Sequence, residues 1–327
     1  MKPLRHRRYL KSGMSSFLYS VFGDTLMTSI ITNNSAMAAL QTLKGISSNL
    51  QDTQNAVSSG LRISKASDNA AYWSISTSMK SDDSALGAVS DALGLGAAKV
   101  DTASTAVTSA IDVVGQIKDK LVTAMEGSVD KDAVQEEIGQ LQAQLQSVAQ
   151  SASFNGENWV MAASGDSASV VSSFIRGTNG TVSVSTTSYA FDTGATGNVL
   201  FGSNSGTIDT ASGILGTVSG SYSVFSLDIS SMTTGQISSA LDMVQTALNS
   251  LTSMGSKLGS ISSRIDLQTS FASSLSDSIQ SGVGKLVDAD MEEESSKLSA
   301  LQTQQQLAIQ SLSIANSSTQ SILSLFR

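Results

Sequence analysis

At 327 residues the chain exceeds one ordinary hydrophobic core, so two or more domains, or one elongated body, are expected. It has no cysteine, and its single proline and histidine are Pro3 and His6, so from Met27 onward it cannot build Cys- or His-ligated metal sites, Cys nucleophiles, Ser-His-Asp triads or disulfides. A net charge of −8 makes nucleic acid a poor partner, and no apolar run approaches the ~18 residues of a membrane span.

The first segment runs against the acidic average. Residues 1–26 carry Lys2, Arg5, Arg7, Arg8 and Lys11 against Asp24, so the remainder holds 14 basic and 26 acidic side chains. The basic start and the apolar run Phe17–Phe22 weakly imitate a secretory signal. Yet the run is short and interrupted, and no Ala-x-Ala site precedes Met27. From Ala36 the positions Ala36, Leu40, Leu43, Ser47, Leu50, Gln54, Val57 and Leu61 follow a 4-3 spacing, the signature of a helix with one apolar seam. A break follows from Gly60 to Asp68, with Asp68 as the expected N-cap of the next helix.

The longest seam comes next. Ile75, Met79, Asp82, Leu86, Val89, Leu93, Gly96, Val100, Ala103, Val107, Ala110, Val114, Ile117, Leu121 and Ala124 keep the same spacing with only two interruptions. Its glycines lower intrinsic helicity, so tertiary packing must hold it. A shorter helix carries Val134, Ile138, Leu141, Leu145 and Val148. Residues 160–235 are different: rich in Ser, Thr and Gly, with Asp166, Arg176, Asp192, Asp209 and Asp228 as their only charges. Alternation at Thr181–Ser185 and Tyr222–Leu227 predicts strands, with turns at Asn155-Gly156, 178–180 and 203–206. Helix resumes through Ile237, Leu241, Val244, Leu248, Leu251, Gly255, Leu258, Ser262 and Ile265.

Near the end, Gly282-Val-Gly284-Lys285 imitates a phosphate loop but lacks its Ser/Thr, and reads as a flexible joint before the last helix. Asp288, Asp290, Glu292, Glu293 and Glu294 lack the mid-loop glycine of a Ca²⁺ site and suit the first turn of a helix. From Met291 the 4-3 positions Met291, Glu294, Leu298, Leu301, Gln305, Ala308, Leu312, Ala315, Thr319, Ile322 and Phe326 are apolar in eight of eleven places. Such a seam needs a partner, and the terminal seams are expected to be unpaired and frayed in a single chain. The pattern is helices out, a small β-rich unit, helices back.

Five stretches now carry a family resemblance. LVDAD from Leu286, LQTQQQLAIQSLSIANSS from Leu301 and the terminal SILSLFR resemble the C-terminal end of bacterial flagellins. Ser59-Gly-Leu-Arg-Ile-Ser-Lys-Ala-Ser-Asp68-Asn-Ala-Ala71 and Ile30-Ile-Thr-Asn-Asn-Ser-Ala-Met-Ala-Ala-Leu40 resemble the N-terminal signature of that family. Two departures stand out: Asn69 replaces an acidic residue, and Tyr72-Trp73 replace a common small residue. The resemblance starts at Met27, so an over-extended start codon, with a mature chain from Met27 or Thr28, is the expectation for the first segment.

The resemblance implies a mainly α fold, a long coiled-coil helical rod of N- and C-terminal arms with a small β-rich or irregular inserted tip domain. The expected divisions are a non-native extension over 1–27 and an N-terminal filament-core arm over 28–67. The helical rod follows over 68–160, then a variable outer β-rich domain over 161–235. The rod returns over 236–285, before a C-terminal filament-core arm over 286–327. It further implies a secreted structural subunit, not an enzyme, that polymerises into the flagellar filament for swimming; a hook–filament junction protein is the alternative. Implied partners are other copies of itself, co-assembling flagellins, the flagellar type III export apparatus, an export chaperone, the filament cap and hook-associated proteins. No cofactor, nucleic acid or membrane is implied. The expected polymerisation interface is Leu40, Leu43, Leu50, Arg62, Leu298, Leu301, Leu312, Ile322 and Phe326, with Arg62 pairing to a neighbouring subunit. In family members detected by the innate immune receptor, the first long helix shows an Arg-x-Arg-Glu-Leu stretch; the matching residues here are Gln116-Ile-Lys-Asp-Lys120.

Overall fold

The computed structural model describes residues 32–177, 181–204, 206–218 and 222–325, with side chains described as far as residue 317. The extension expected over 1–27, the turn expected at 178–180 and Phe326 lie outside the described residues. The fold is mainly α. Helices α1 (Asn34–Ser59), α2 (Ala70–Ala124), α3 (Lys131–Ser151), α4 (Thr234–Val287) and α5 (Met291–Leu325) hold most of the chain, and the strands fall between α3 and α4. Two compact units result: Met1–Trp73 with Val287–Arg327, and Ser74–Leu286.

The larger unit is built on α2 and α4 running antiparallel. Rising positions on α2 meet falling positions on α4: Asp83 with Gln280 (3.0 Å), Gly96 with Ile265, Val107 with Gly255, and Lys118 with Gln245 (2.8 Å). Leu86, Val89, Leu93, Val100, Ala103, Val107, Ala110, Val114, Ile117, Leu121 and Ala124 are buried, the seam predicted for this helix. Ile75 is not part of it; it is half exposed, and Ser76 is buried instead. Against this pair lies α3, whose Asp130 cap accepts from the Asp132 amide at 3.0 Å. Val134, Ile138 and Leu145 of α3 are buried.

Strands β1 (Ser153–Phe154) and β2 (Glu157–Asn158) form a hairpin. Its turn needs two left-handed residues, and Asn155 (φ 51°) and Gly156 (φ 84°) supply them. A three-stranded sheet sets β3 (Met161–Ala162) parallel to β6 (Phe201–Asn204), which pairs antiparallel with β7 (Thr207–Asp209). The long ribbon β4 (Ser167–Arg176) and β5 (Val182–Ala190) is antiparallel, with an irregularity between Val171 and Ser173. The ribbon lies on the helices where Gly96 leaves room: a Cβ there would sit 3.1 Å from Val170 Cγ1. An Arg176–Asp82 ion pair fixes it further along α2.

Two expectations fail in this unit. Tyr222–Leu227 is not a strand but a turn, because the Ser223 and Ser226 side chains capture each other's amides at 3.3 and 3.1 Å while Val224 and Leu227 turn into the core. The Gly282–Lys285 stretch is no joint: it is helical within α4, and Gly282 makes space for Met79. The break between helices falls at Asp288–Asp290 instead.

Candidate functional site

The terminal unit is where both ends of the sequence meet. Asn33 sets the start of α1 twice over: its Oδ1 accepts the Ala36 amide at 2.9 Å, and its Nδ2 donates to the Ala315 carbonyl of α5 at 2.9 Å. At its other end α1 stops on Gly60, whose left-handed φ of 70° costs a glycine little. The Gly60 carbonyl then accepts the Ala289 amide (2.9 Å), while the Arg62 and Ile63 amides donate to Val287 at 2.7 and 3.3 Å. The helices are therefore antiparallel and tied at both ends, and the terminal seams are each other's partners rather than unpaired as expected. Two antiparallel 4-3 seams bury apolar groups that either alone would leave in water.

From Glu294 the α5 seam is the one the spacing predicts: Glu294, Leu298, Leu301, Gln305, Ala308, Leu312 and Ala315 are shielded, with Leu301 only 8% exposed, whereas Met291, expected to open the seam, is 44% exposed. On α1 the shielded set is Ala36, Ala39, Leu43, Ile46, Leu50, Thr53, Ala56 and Val57, so Ser47 and Gln54 do not belong to it and Leu40 faces outward. Ala39 and Thr53 sit inside, Thr53 only 2% exposed, which apolar size alone does not reveal.

Loop 60–69 joins this pair to α2. Asp68 is its hub and not the helix cap: its carboxylate accepts the Ser64 and Lys65 amides at 3.0 and 3.1 Å and the Ser64 hydroxyl. Desolvation works against the charge, but those hydrogen bonds and the Lys65 ammonium outweigh it and hold the carboxyl below its ordinary value. Asn69 is the cap, its Oδ1 taking the Ala71 and Tyr72 amides at 3.1 Å each. On α5, Asp290 Oδ1 accepts the Glu292 and Glu293 amides, so the acids there serve the helix start. Glu294 Oε1 takes Lys297 Nζ at 3.3 Å, and its Oε2 is enclosed with no hydrogen-bond partner.

Of the residues expected at the interface, Leu43, Leu50, Leu298, Leu301 and Leu312 lie along the seam that holds the pair together. Leu40 and Arg62 are exposed, Ile322 is on α5 beyond the described side chains, and Phe326 is outside the described residues. Spacing missed the outward set. Met37 on α1 and Met291, Leu307, Ile309 and Ile314 on α5 are exposed, Leu307 by 60% and Ile314 by 68%. Ala39, Thr42, Ile46, Gln304, Leu307, Ala308 and Ser311 line a groove of about 460 Å³ along one flank of the pair. Exposed apolar groups therefore stand on both helices of the unit. Among the described residues no three His, Cys, Asp or Glu side chains gather as a metal site, and no helix is long and apolar enough to cross a membrane.

The comparisons fall on the same helices. The family model for the bacterial flagellin N-terminal helical region matches residues 30–164, and that for the bacterial flagellin C-terminal helical region matches residues 241–326. Flagellin A of Rhizobium meliloti is 44% identical over 395 aligned residues, and Flagellin C of Rhizobium meliloti (strain 1021) is 48% identical over 328. Flagellin of Brucella melitensis biotype 1 is 48% identical over 302. In each case the match takes in 92% of this chain and all of the relative.

Proposed function

Because this chain belongs to the bacterial flagellin family, and so is a structural subunit of the flagellar filament that drives swimming, we propose that its terminal helix pair is the surface through which it polymerises. The exposed apolar groups on both flanks of that pair carry the reading: Leu40 on α1, and Leu307 and Ile314 on α5. A head-to-tail contact that does not close into a ring extends into a helical polymer. The arms 28–67 and 286–327 form the filament core, 68–160 and 236–285 surround it, and 161–235 is the variable outer part. Arg62, exposed in the loop, pairs with a carboxylate of a neighbouring copy. A match that spans the whole length of curated flagellins favours the filament subunit over a hook–filament junction protein.

The chain leaves the cell through the flagellar type III export apparatus, escorted by an export chaperone. It is added beneath the filament cap, above the hook-associated proteins, and co-assembles with other flagellins. The absence of cysteine supports such a route, since no disulfide has to be made or broken on the way. Seeding the purified chain with filament fragments tests the reading by electron microscopy. The intact chain should elongate the seeds, and a chain lacking residues 286–327 should not; elongation by the truncated chain would refute the role of the pair.

A further inference from the structure

Away from the seam, the terminal unit holds two large aromatic side chains partly in water. They open α2, where the Asn69 cap fixes the first turn, and Tyr72 is 44% and Trp73 37% exposed. Neighbouring positions on a helix diverge by about 100°, so the two rings cover a broad arc of surface rather than one narrow stripe. Aromatic rings with a polar handle are the side chains most enriched at the buried centres of protein interfaces, where each carries a large contact area at little cost in rotamer freedom. Around them the helix is small and uncharged, Ala70, Ala71 and Ser74, which lets a partner surface approach closely.

We propose that Tyr72 and Trp73 are an aromatic anchor that docks on a second copy of this chain in the assembled filament. The proposal rests on the reading that the chain polymerises, and adds to it a contact outside the terminal helix pair. A second copy is the occupant because these residues belong to the same compact unit as α1 and α5, whose exposed apolar groups are the polymerisation surface proposed above. They also stand where the flagellin resemblance leads one to expect a small residue, so the added aromatic surface is a feature of this sequence and not a requirement of the helix.

The chain has two tryptophans, and Trp159 is only 2% exposed, so the intact protein carries its own probe. A Trp159→Phe chain isolates Trp73 emission, which is read with acrylamide in monomer and in seeded filaments, elongation being scored separately by electron microscopy. Trp73 emission should move to shorter wavelength on elongation and its quenching constant should fall several-fold. A Tyr72→Ala/Trp73→Ala chain should keep the monomer's helicity, and its critical concentration should rise tenfold or more. Filaments in which Trp73 is as quenchable as in monomer, or unchanged critical concentration for the double variant, would overturn the anchor while leaving polymerisation intact. Failure of the unaltered chain to elongate seeds would overturn both.

Discussion

Asp68 and Asn69 divide two tasks that the sequence assigns to one residue. Either side chain can cap a helix, and nothing in their order says which one does. The loop decides: with Gly60 left-handed and the Arg62 and Ile63 amides on Val287, Asp68 faces the Ser64 and Lys65 amides and Asn69 is left to cap α2. Since the folded pKa of Asp68 is depressed, its stabilisation is complete above the unfolded value of about 3.9 and is lost as pH falls through the lower folded value. Hydrogen-exchange protection of the Ser64 and Lys65 amides should therefore decline below about pH 4, and Asp68→Ala should abolish it at neutral pH. Protection that survives in the alanine variant would show that the backbone alone holds the loop. Asn69→Ala should lower stability by about 1 kcal/mol in chemical denaturation.

The seams of α2 and α5 were legible from spacing, and the phase of the α1 seam was not. The α5 positions from Glu294 to Ala315 and the α2 positions from Leu86 to Ala124 follow the 4-3 spacing directly. On α1 the alternation from Ala36 starts in the other phase, so Ala39, Ile46 and Thr53 face inward where the 4-3 count puts Leu40, Ser47 and Gln54. The ties of α3 were invisible, because Gln135 and Gln142 look like solvent residues. In the structure they hold the returning chain at Val224, Leu227 and Ile229, with distances of 2.8 to 3.1 Å. The insert also shares its interior with the helices: Val199, Leu200, Phe201, Leu215, Leu227 and Ile229 join one continuous core with α2, α3 and α4. Replacing residues 165–230 by a short linker should therefore lower the melting temperature, and Phe201→Ala alone should cost roughly 3–5 kcal/mol. An unchanged melt for the linker chain would show that the insert packs independently. In Gln116–Lys120, which the flagellin resemblance sets against the stretch seen by the innate immune receptor, Ile117 is fully buried, Lys118 bonds Gln245 and Lys120 pairs with Glu137. Reporter cells should respond weakly to the monomer, and potency equal to that of an enteric-type flagellin would refute this.

For the whole molecule, family and class were legible because both ends of the sequence carry long contiguous matches, and the acids from Asp288 to Glu294 serve a helix start. What spacing alone could not show is that the two ends satisfy each other's seams, since that depends on antiparallel register across almost the full length of the chain. The register leaves Leu40, Leu307 and Ile314 among the outward groups, which is where the proposed surface for neighbours lies. Leu301→Ala should accordingly weaken the pair itself, by about 2–5 kcal/mol, and impair elongation indirectly. By contrast, Leu307→Ser with Ile314→Ser should leave the monomer's melt unchanged and still stop elongation of seeds. An electron-microscopic reconstruction of the filament tests the central claim most directly. The account predicts paired α1 and α5 with Leu40, Leu307 and Ile314 buried against neighbouring copies; a filament in which those side chains face open solvent would contradict it.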